Sequence, residues 1–176
     1  MTERRSSLRR VAGALLKGPA GRSLALLLGV AGCGLALEPA SMARVEEAET
    51  QWDAAPILDY GITVDVDRPG ERRRTEVKVR DGRIVSASVS YWDPEEDRWS
   101  RPTSLRDEQA MPFTPLGLLD MVRREISPKI RRDVRISLKG SPPFPHRILM
   151  GGLLREEGAV PNSEATITVR RFEPVR

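Results

Sequence analysis

Few residues in this chain carry reactive chemistry. His146 is the only histidine and Cys33 the only cysteine. A nucleophile–base pair needs a base with a pKa near neutrality, which histidine ordinarily supplies. His146 follows Pro143-Phe144-Pro145 and shares strand parity with Ile148 and Met150. That parity predicts an inward-facing core or edge histidine whose hydrogen bonds are satisfied. No Gly-x-Ser-x-Gly elbow, phosphate-cradling loop or His/Cys metal spacing accompanies it. Asp93, Glu95, Glu96 and Asp97 gather the oxygens that hard cations prefer, without the Asp-x-Asp-x-Asp-Gly order of a dedicated calcium loop, so a solvated acidic loop is expected. Arg72-Arg73-Arg74 could hold a phosphate or a lipid head group, but such a run at a strand end is expected to be solvated. The residues therefore predict no catalytic group, metal or cofactor, and a non-enzymatic protein. Carboxylates meeting around His146 from distant strands leave a hydrolase as the alternative.

Cys33 calls for a different explanation. A lone cysteine forms no intrachain disulfide. Residues 1–22 form a positive stretch carrying Arg4, Arg5, Arg9, Arg10, Lys17 and Arg22, and an apolar run from Leu24 to Gly32 follows. A positive start, a short apolar core and small residues have the layout of a secretory signal. Even extended to Leu37 the run is short of the ~20 residues that span a bilayer. Val30-Ala31-Gly32-Cys33 resembles the lipobox of bacterial lipoproteins, in which the cysteine becomes the lipidated N-terminus. The small residues suit a peptidase groove, and the thiol is the nucleophile that takes the diacylglycerol. The competing reading is cleavage after Ala43, in Ser41-Met42-Ala43, with Cys33 a bystander. Arg9-Arg10 is followed by residues unlike a twin-arginine motif, so general secretion is expected. Gly34, rather than Asp, follows the cysteine, which implies outer-membrane delivery in a cell with two membranes. The predicted division is a leader over 1–33, a tether over 34–43 and a single domain over 44–176.

Charge excludes one class of partner. The chain is nominally +4, but six of its 29 basic residues and one of its 25 acidic residues precede Cys33, so the remainder carries −1. A nucleic-acid protein keeps its positive charge on the folded body, so no nucleic acid is expected as a partner. The expected partners are the membrane, through the lipid anchor, and an envelope protein or small ligand.

The elements follow from periodicity and caps. Ser41 to Asp53 reads as a helix with Ser41 as N-cap, Met42, Val45 and Trp52 on one face and Pro56 closing it. Tyr60, Ile62, Val64 and Val66 alternate inward along a first strand. Asp93 through Ala110 is polar and Pro-broken and reads as a long loop, with Trp92 and Trp99 flanking its acidic part. Thr114-Pro115 starts a second helix, since Thr caps and Pro suits the first helical position. Leu116, Leu119, Val122 and Ile126 mark its expected apolar face, and Pro128 stops it. Strands are expected at Val134 to Leu138, His146 to Met150 and Thr166 to Phe172. Together these predict an α+β fold, an antiparallel sheet of about six strands in helix-βββ-helix-βββ order with the helices packed on one face.

The strongest local signal lies between Thr75 and Tyr91, where alternating runs flank Asp81-Gly82. A two-residue turn would pair Val79 with Ile84 and Val77 with Ser86. A three-residue loop over Arg80, Asp81 and Gly82 would pair Val77 with Val85 and Thr75 with Ala87. The second puts Val85, Ala87, Val89 and Tyr91 on the same face as Val77 and is the expected register.

The order of several short motifs resembles a family of small uncharacterised bacterial lipoproteins and secreted proteins. These motifs are Trp52, Asp59-Tyr-Gly-Ile-Thr-Val64, Val77-x-Val-x-Asp-Gly-x-Ile-Val85, Phe113-Thr114, Phe144-Pro-His-Arg-Ile148 and Thr166-Ile-Thr-Val-Arg-Arg-Phe-Glu-Pro174. The resemblance covers nearly all of the mature chain. It departs at Pro143-Phe144-Pro145, where Gly-Tyr-Pro is usual, and lacks the cysteines some relatives carry near the first strand. It implies fold and location, and no activity.

Overall fold

The computed structural model describes residues 36–175. Cys33 and the rest of the expected leader lie outside the described residues. Among the described residues the sheet has nine strands, all pairing antiparallel. The six long strands are β2 (Tyr60–Arg68), β3 (Glu71–Arg80), β4 (Arg83–Asp93), β7 (Val134–Lys139), β8 (Phe144–Met150) and β11 (Ala165–Pro174). They lie side by side in the order β7-β8-β11-β2-β3-β4. Two-residue strands extend the edges: β1 (Glu38–Pro39) on β7, and β5 (Arg98–Trp99) and β6 (Thr103–Ser104) on β4. A separate small hairpin joins β9 (Leu154–Arg155) and β10 (Gly158–Ala159).

This corrects the expected α+β fold with about six strands in helix-βββ-helix-βββ order. Among the described residues the molecule is mostly antiparallel sheet, the sheet has nine strands, and the helices are three and short: α1 (Met42–Ala54), α2 (Asp107–Ala110) and α3 (Pro115–Glu125). The missed strands are edge additions made through backbone hydrogen bonds over two residues. Two residues leave no room for the alternation that reveals a strand in sequence. The missed helix is a single turn.

Local chemistry explains the helices that were anticipated. Ser41 Oγ accepts from the Arg44 backbone N–H at 3.4 Å, and Thr114 Oγ1 accepts from that of Gly117 at 3.1 Å. Arg123 and Arg124 occupy the last turn of α3, beside the negative end of its dipole. The helix buries Leu118, Leu119 and Val122 completely. Burying each such side chain stabilises the fold by about 1.5–3 kcal/mol. They meet Val45, Ala48 and Trp52 of α1 and the inward residues of β2, β8 and β11 in one core. Leu116, expected on that face, is instead 46 % exposed.

The hairpin departs from both registers considered. Asp81 and Gly82 form a two-residue turn, both with positive φ (49° and 72°), so Val79 faces Ile84. The register then shifts, so that Lys78 faces Ser86 and Val77 faces Ala87. Val85 is the extra residue of a β-bulge and is 60 % exposed. The expected three-residue loop is therefore wrong, and so is the inward assignment of Val85 and Tyr91. Val89 is buried and Ala87 half-buried, as expected.

Candidate functional site: a cleft and a pocket on opposite faces

Two cavities gather chemistry. The larger, about 1020 Å³, opens where the helical cover of the sheet ends, between the C-terminal end of α1, the β3–β4 hairpin tip and the α2–α3 segment. Its floor is Trp52, Tyr60 and Val79, all buried. Burial pushes the Tyr60 phenol up to about 12, so it stays protonated. The walls are Leu58, Met111 and Leu116, which are 50 %, 58 % and 46 % exposed. These are three of the eight large apolar side chains exposed among the described residues, and their convergence is what distinguishes a cleft from scattered surface leucines.

Backbone contacts fix the walls. The Gly82 N–H donates to the Leu58 carbonyl at 3.0 Å, and the Asp81 N–H donates to Asp59 Oδ1 at 3.0 Å, tying the hairpin tip to the segment that carries Leu58. At Gly117 a Cβ would sit 2.0 Å from the Met111 carbonyl oxygen. Glycine there lets the turn bearing Met111 close onto the first turn of α3. The rim carries Asp53, Asp107, Glu108 and Asp120 against Arg83 and Arg124. Asp120 pairs with Arg124 at 3.1 Å. Among the described residues, Asp53, Asp107 and Glu108 join no ion pair.

The second cavity, about 420 Å³, lies on the other face of the sheet, over β2, β3, β8 and β11. It is lined by Asp65, Asp67, Arg72, His146, Arg147, Thr166, Thr168 and Arg170. Asp65 is 3 % exposed. Arg74 donates to it through Nε at 2.7 Å and Nη2 at 3.0 Å, and Arg170 donates through Nε at 2.9 Å. Burial alone would raise the Asp65 pKa, but the hydrogen bonds and charges of the two arginines outweigh it, and the carboxyl is held below its ordinary value. The His146 pKa is held below its ordinary value. Burial lowers it first, and the charges of Lys139, Arg147 and Arg170 add to the effect.

His146 thus faces away from the core, contrary to its strand parity. The β7–β8 register shifts between Ser137 and Leu138, which face Arg147 and Pro145, and leaves His146 as the unpaired residue of a bulge. A bulge re-aims a side chain that alternation would send inward. The basic run divides in the same way. Arg72 stacks over Trp92 and Trp99 at 5.5 and 5.4 Å, and Arg74 over Trp99 at 4.4 Å. Arg73 points to the opposite face, over Phe113 at 5.4 Å. The two tryptophans pair edge-to-face at 5.4 Å across β4 and β5, closing the loop between them.

The chain matches no protein-family model, and no curated protein matches it. Its function has to be argued from its geometry. The acidic loop turns back on itself: Asp93 Oδ1 accepts from the backbone N–H groups of Glu95 and Glu96 at 2.9 and 3.2 Å, and Glu96 pairs with Arg98. Among the described residues no three His, Cys, Asp or Glu side chains gather as metal ligands. Sequence reasoning missed the cleft altogether. The available signal was the isolated apolar residues, Leu58 and Met111, in Pro-containing segments that read as loops.

Proposed function

We propose that this chain is an exported, lipid-anchored cell-envelope protein that works as a non-enzymatic binding module, with the apolar cleft as its binding surface. The observation that carries the reading is the cleft itself, where half-exposed Leu58, Met111 and Leu116 surround a buried aromatic floor. Ligand sites are concave, mostly apolar and oriented by a few polar groups, and the cleft has this composition. Its rim sets four carboxylates against two arginines, which favours an apolar ligand bearing a positive charge. The anchor would be Cys33, supported by Val30-Ala-Gly-Cys33 after the apolar run.

A fluorescent amine, dansylcadaverine, tests the cleft. Saturable binding by the full-length protein is expected, with loss in Leu58→Gln and Leu116→Gln, whose exposed side chains leave the core untouched. Equal binding by both variants would overturn the assignment. For the anchor, intact-mass analysis of protein from a bacterial host should find diacylglycerol on Cys33, and Cys33→Ser should remain an unprocessed, unacylated precursor. A mutant that matures normally to begin at residue 44 would refute lipidation.

The second reading, an envelope hydrolase, is favoured by the pocket that gathers His146 with Asp65 and Asp67. Against it, both Asp65 oxygens are committed to arginines. His146→Ala that folds and accumulates normally yet abolishes the protein's role in the cell would support it.

A further inference from the structure

We propose that the pocket on the helix-free face of the sheet binds a phosphorylated ligand through Arg72, Arg147 and Arg170. The site is separate from the apolar cleft and does not depend on it. The pocket's charge is unequally matched. Arg72, Arg147 and Arg170 line it together with two carboxylates, Asp65 and Asp67. Asp65 is already neutralised from outside the pocket by bidentate Arg74. Three guanidinium groups are then left facing one carboxylate, Asp67.

Two of the three arginines are also held in position. Arg170 donates to Asp65, buried beneath it, through Nε–H alone. Arg72 Cζ lies 5.5 and 5.4 Å from the ring centroids of Trp92 and Trp99, a cation–π contact that uses none of its N–H donors. Among the described residues, Arg72 and Arg147 join no ion pair and make no side-chain hydrogen bond. A purely structural cluster would satisfy each cation as Asp65 satisfies Arg74. Two arginines without partners lining one concavity are what recognition of an oxyanion requires, because the guanidinium fork matches phosphate oxygens two at a time. The Thr166 and Thr168 hydroxyls add neutral donors on the pocket floor. A volume of about 420 Å³ exceeds a bare phosphate and leaves room for the group that carries it.

The phosphate could belong to a soluble phosphorylated compound or to a lipid head group, and the same protein distinguishes them. The full-length protein is titrated at constant ionic strength with inorganic pyrophosphate, with dihexanoyl phosphatidic acid and with dihexanoyl phosphatidylcholine, following calorimetric heat. Saturable one-to-one binding is expected for pyrophosphate, for phosphatidic acid or for both, and none for the zwitterionic lipid. Preference for pyrophosphate assigns a soluble ligand, and preference for phosphatidic acid assigns a head group. Arg147→Gln, an exposed and unpaired side chain whose loss leaves the fold intact, should weaken binding by about tenfold or more, the scale of one charge-assisted hydrogen bond. Lys129→Gln removes the same charge outside the pocket and should bind as the unmodified protein does. Absence of binding to both phosphate probes overturns the proposal, as does equal weakening by Arg147→Gln and Lys129→Gln.

Discussion

Strand β2 sends Val64 and Val66 to one face of the sheet and Asp65 to the other, and the three are buried to nearly the same degree, at 0 %, 1 % and 3 % exposure. The means differ completely. The valines are covered by α1 and α3, whose apolar residues share their core. Among the described residues no helix lies over Asp65, which is covered by the side chains of Arg74 and Arg170, themselves 31 % and 53 % exposed. Long basic side chains lay their stems over the surface and keep their heads wet. A helix must end somewhere, and where α1 and α3 end the first face is left with an apolar cleft. The second face has no such margin, and its surplus is charge rather than exposed carbon.

The largest expected effect would break the helix-covered face. Gly117→Ala puts a Cβ against the Met111 carbonyl oxygen and the Pro112 Cα, both backbone atoms that cannot swing away. Overpacking of this kind costs about 3 kcal/mol. Intrinsic helix propensity pulls the other way, since Ala is favoured over Gly by about 1 kcal/mol in an open helix interior. Urea unfolding distinguishes the two, and a stabilised Gly117→Ala protein would remove the argument that glycine shapes the cleft wall.

Next comes the open face. Asp65→Asn keeps the shape and removes the charge that receives three hydrogen bonds from two arginines. Losing one member of a buried pair costs 3–5 kcal/mol, but both arginines here reach water, so about 2 kcal/mol is expected. The pH dependence has a definite sign. The folded-state pKa lies below the ordinary value of 3.8, so the ionised carboxylate contributes its full stability above that value and loses it as acid protonates the group in the fold. The gap in melting temperature between the unmodified protein and Asp65→Asn should be constant at neutral pH and shrink as the pH falls below about 4. A gap that persists unchanged at low pH would mean that the charge of Asp65 does not hold the arginines.

The sequence was most informative where short-range chemistry alone decides structure. Alternation from Tyr60 to Val66 correctly gave an inward face, and Thr114-Pro115 gave a capped helix start. Asp81-Gly82 gave a hairpin, but its register was misread, because a bulge at Val85 changes the pairing without leaving a mark in composition. The same limitation turned His146 outward. Arg72 and Arg74 were visible as a basic run, yet their meaning comes from Asp65, across the adjacent β2–β3 hairpin, and from Arg170, brought beside it by strand pairing over a hundred residues of chain. The cleft was illegible for a similar reason. Leu116 sat at helical spacing with Leu119 and was assigned to the core, whereas the helix is rotated so that Leu118 and Leu119 fill the interior.

A smaller effect is expected at the hairpin tip that walls the cleft. Gly82 has φ of 72°, where a β-branched residue is strongly disfavoured. A Cβ would meet Leu58 Cδ2 only at ordinary contact distance, 3.5 Å, so the cost is conformational and comes to about 1–2 kcal/mol. Gly82→Val should therefore lower the denaturation midpoint clearly, while Gly82→Asn, a residue that tolerates left-handed backbone, should lower it less. Equal losses in the two would point to crowding rather than to φ.

The smallest effect is the one most specific to the cleft. Leu116 follows the first residue of α3 and is 46 % exposed, although its neighbours Leu118 and Leu119 are fully buried. If it serves the core, replacing it with glutamine should cost what removing a buried leucine costs, 2–5 kcal/mol. If it serves the cleft, its apolar surface is already largely in water. Glutamine is also a good helix former, so the change should stay within about 0.5 kcal/mol. The second outcome is expected, measured as an unchanged urea midpoint together with weakened dansylcadaverine binding. A large stability loss in Leu116→Gln would return this residue to the core, and the cleft would lose one of the three side chains that define it.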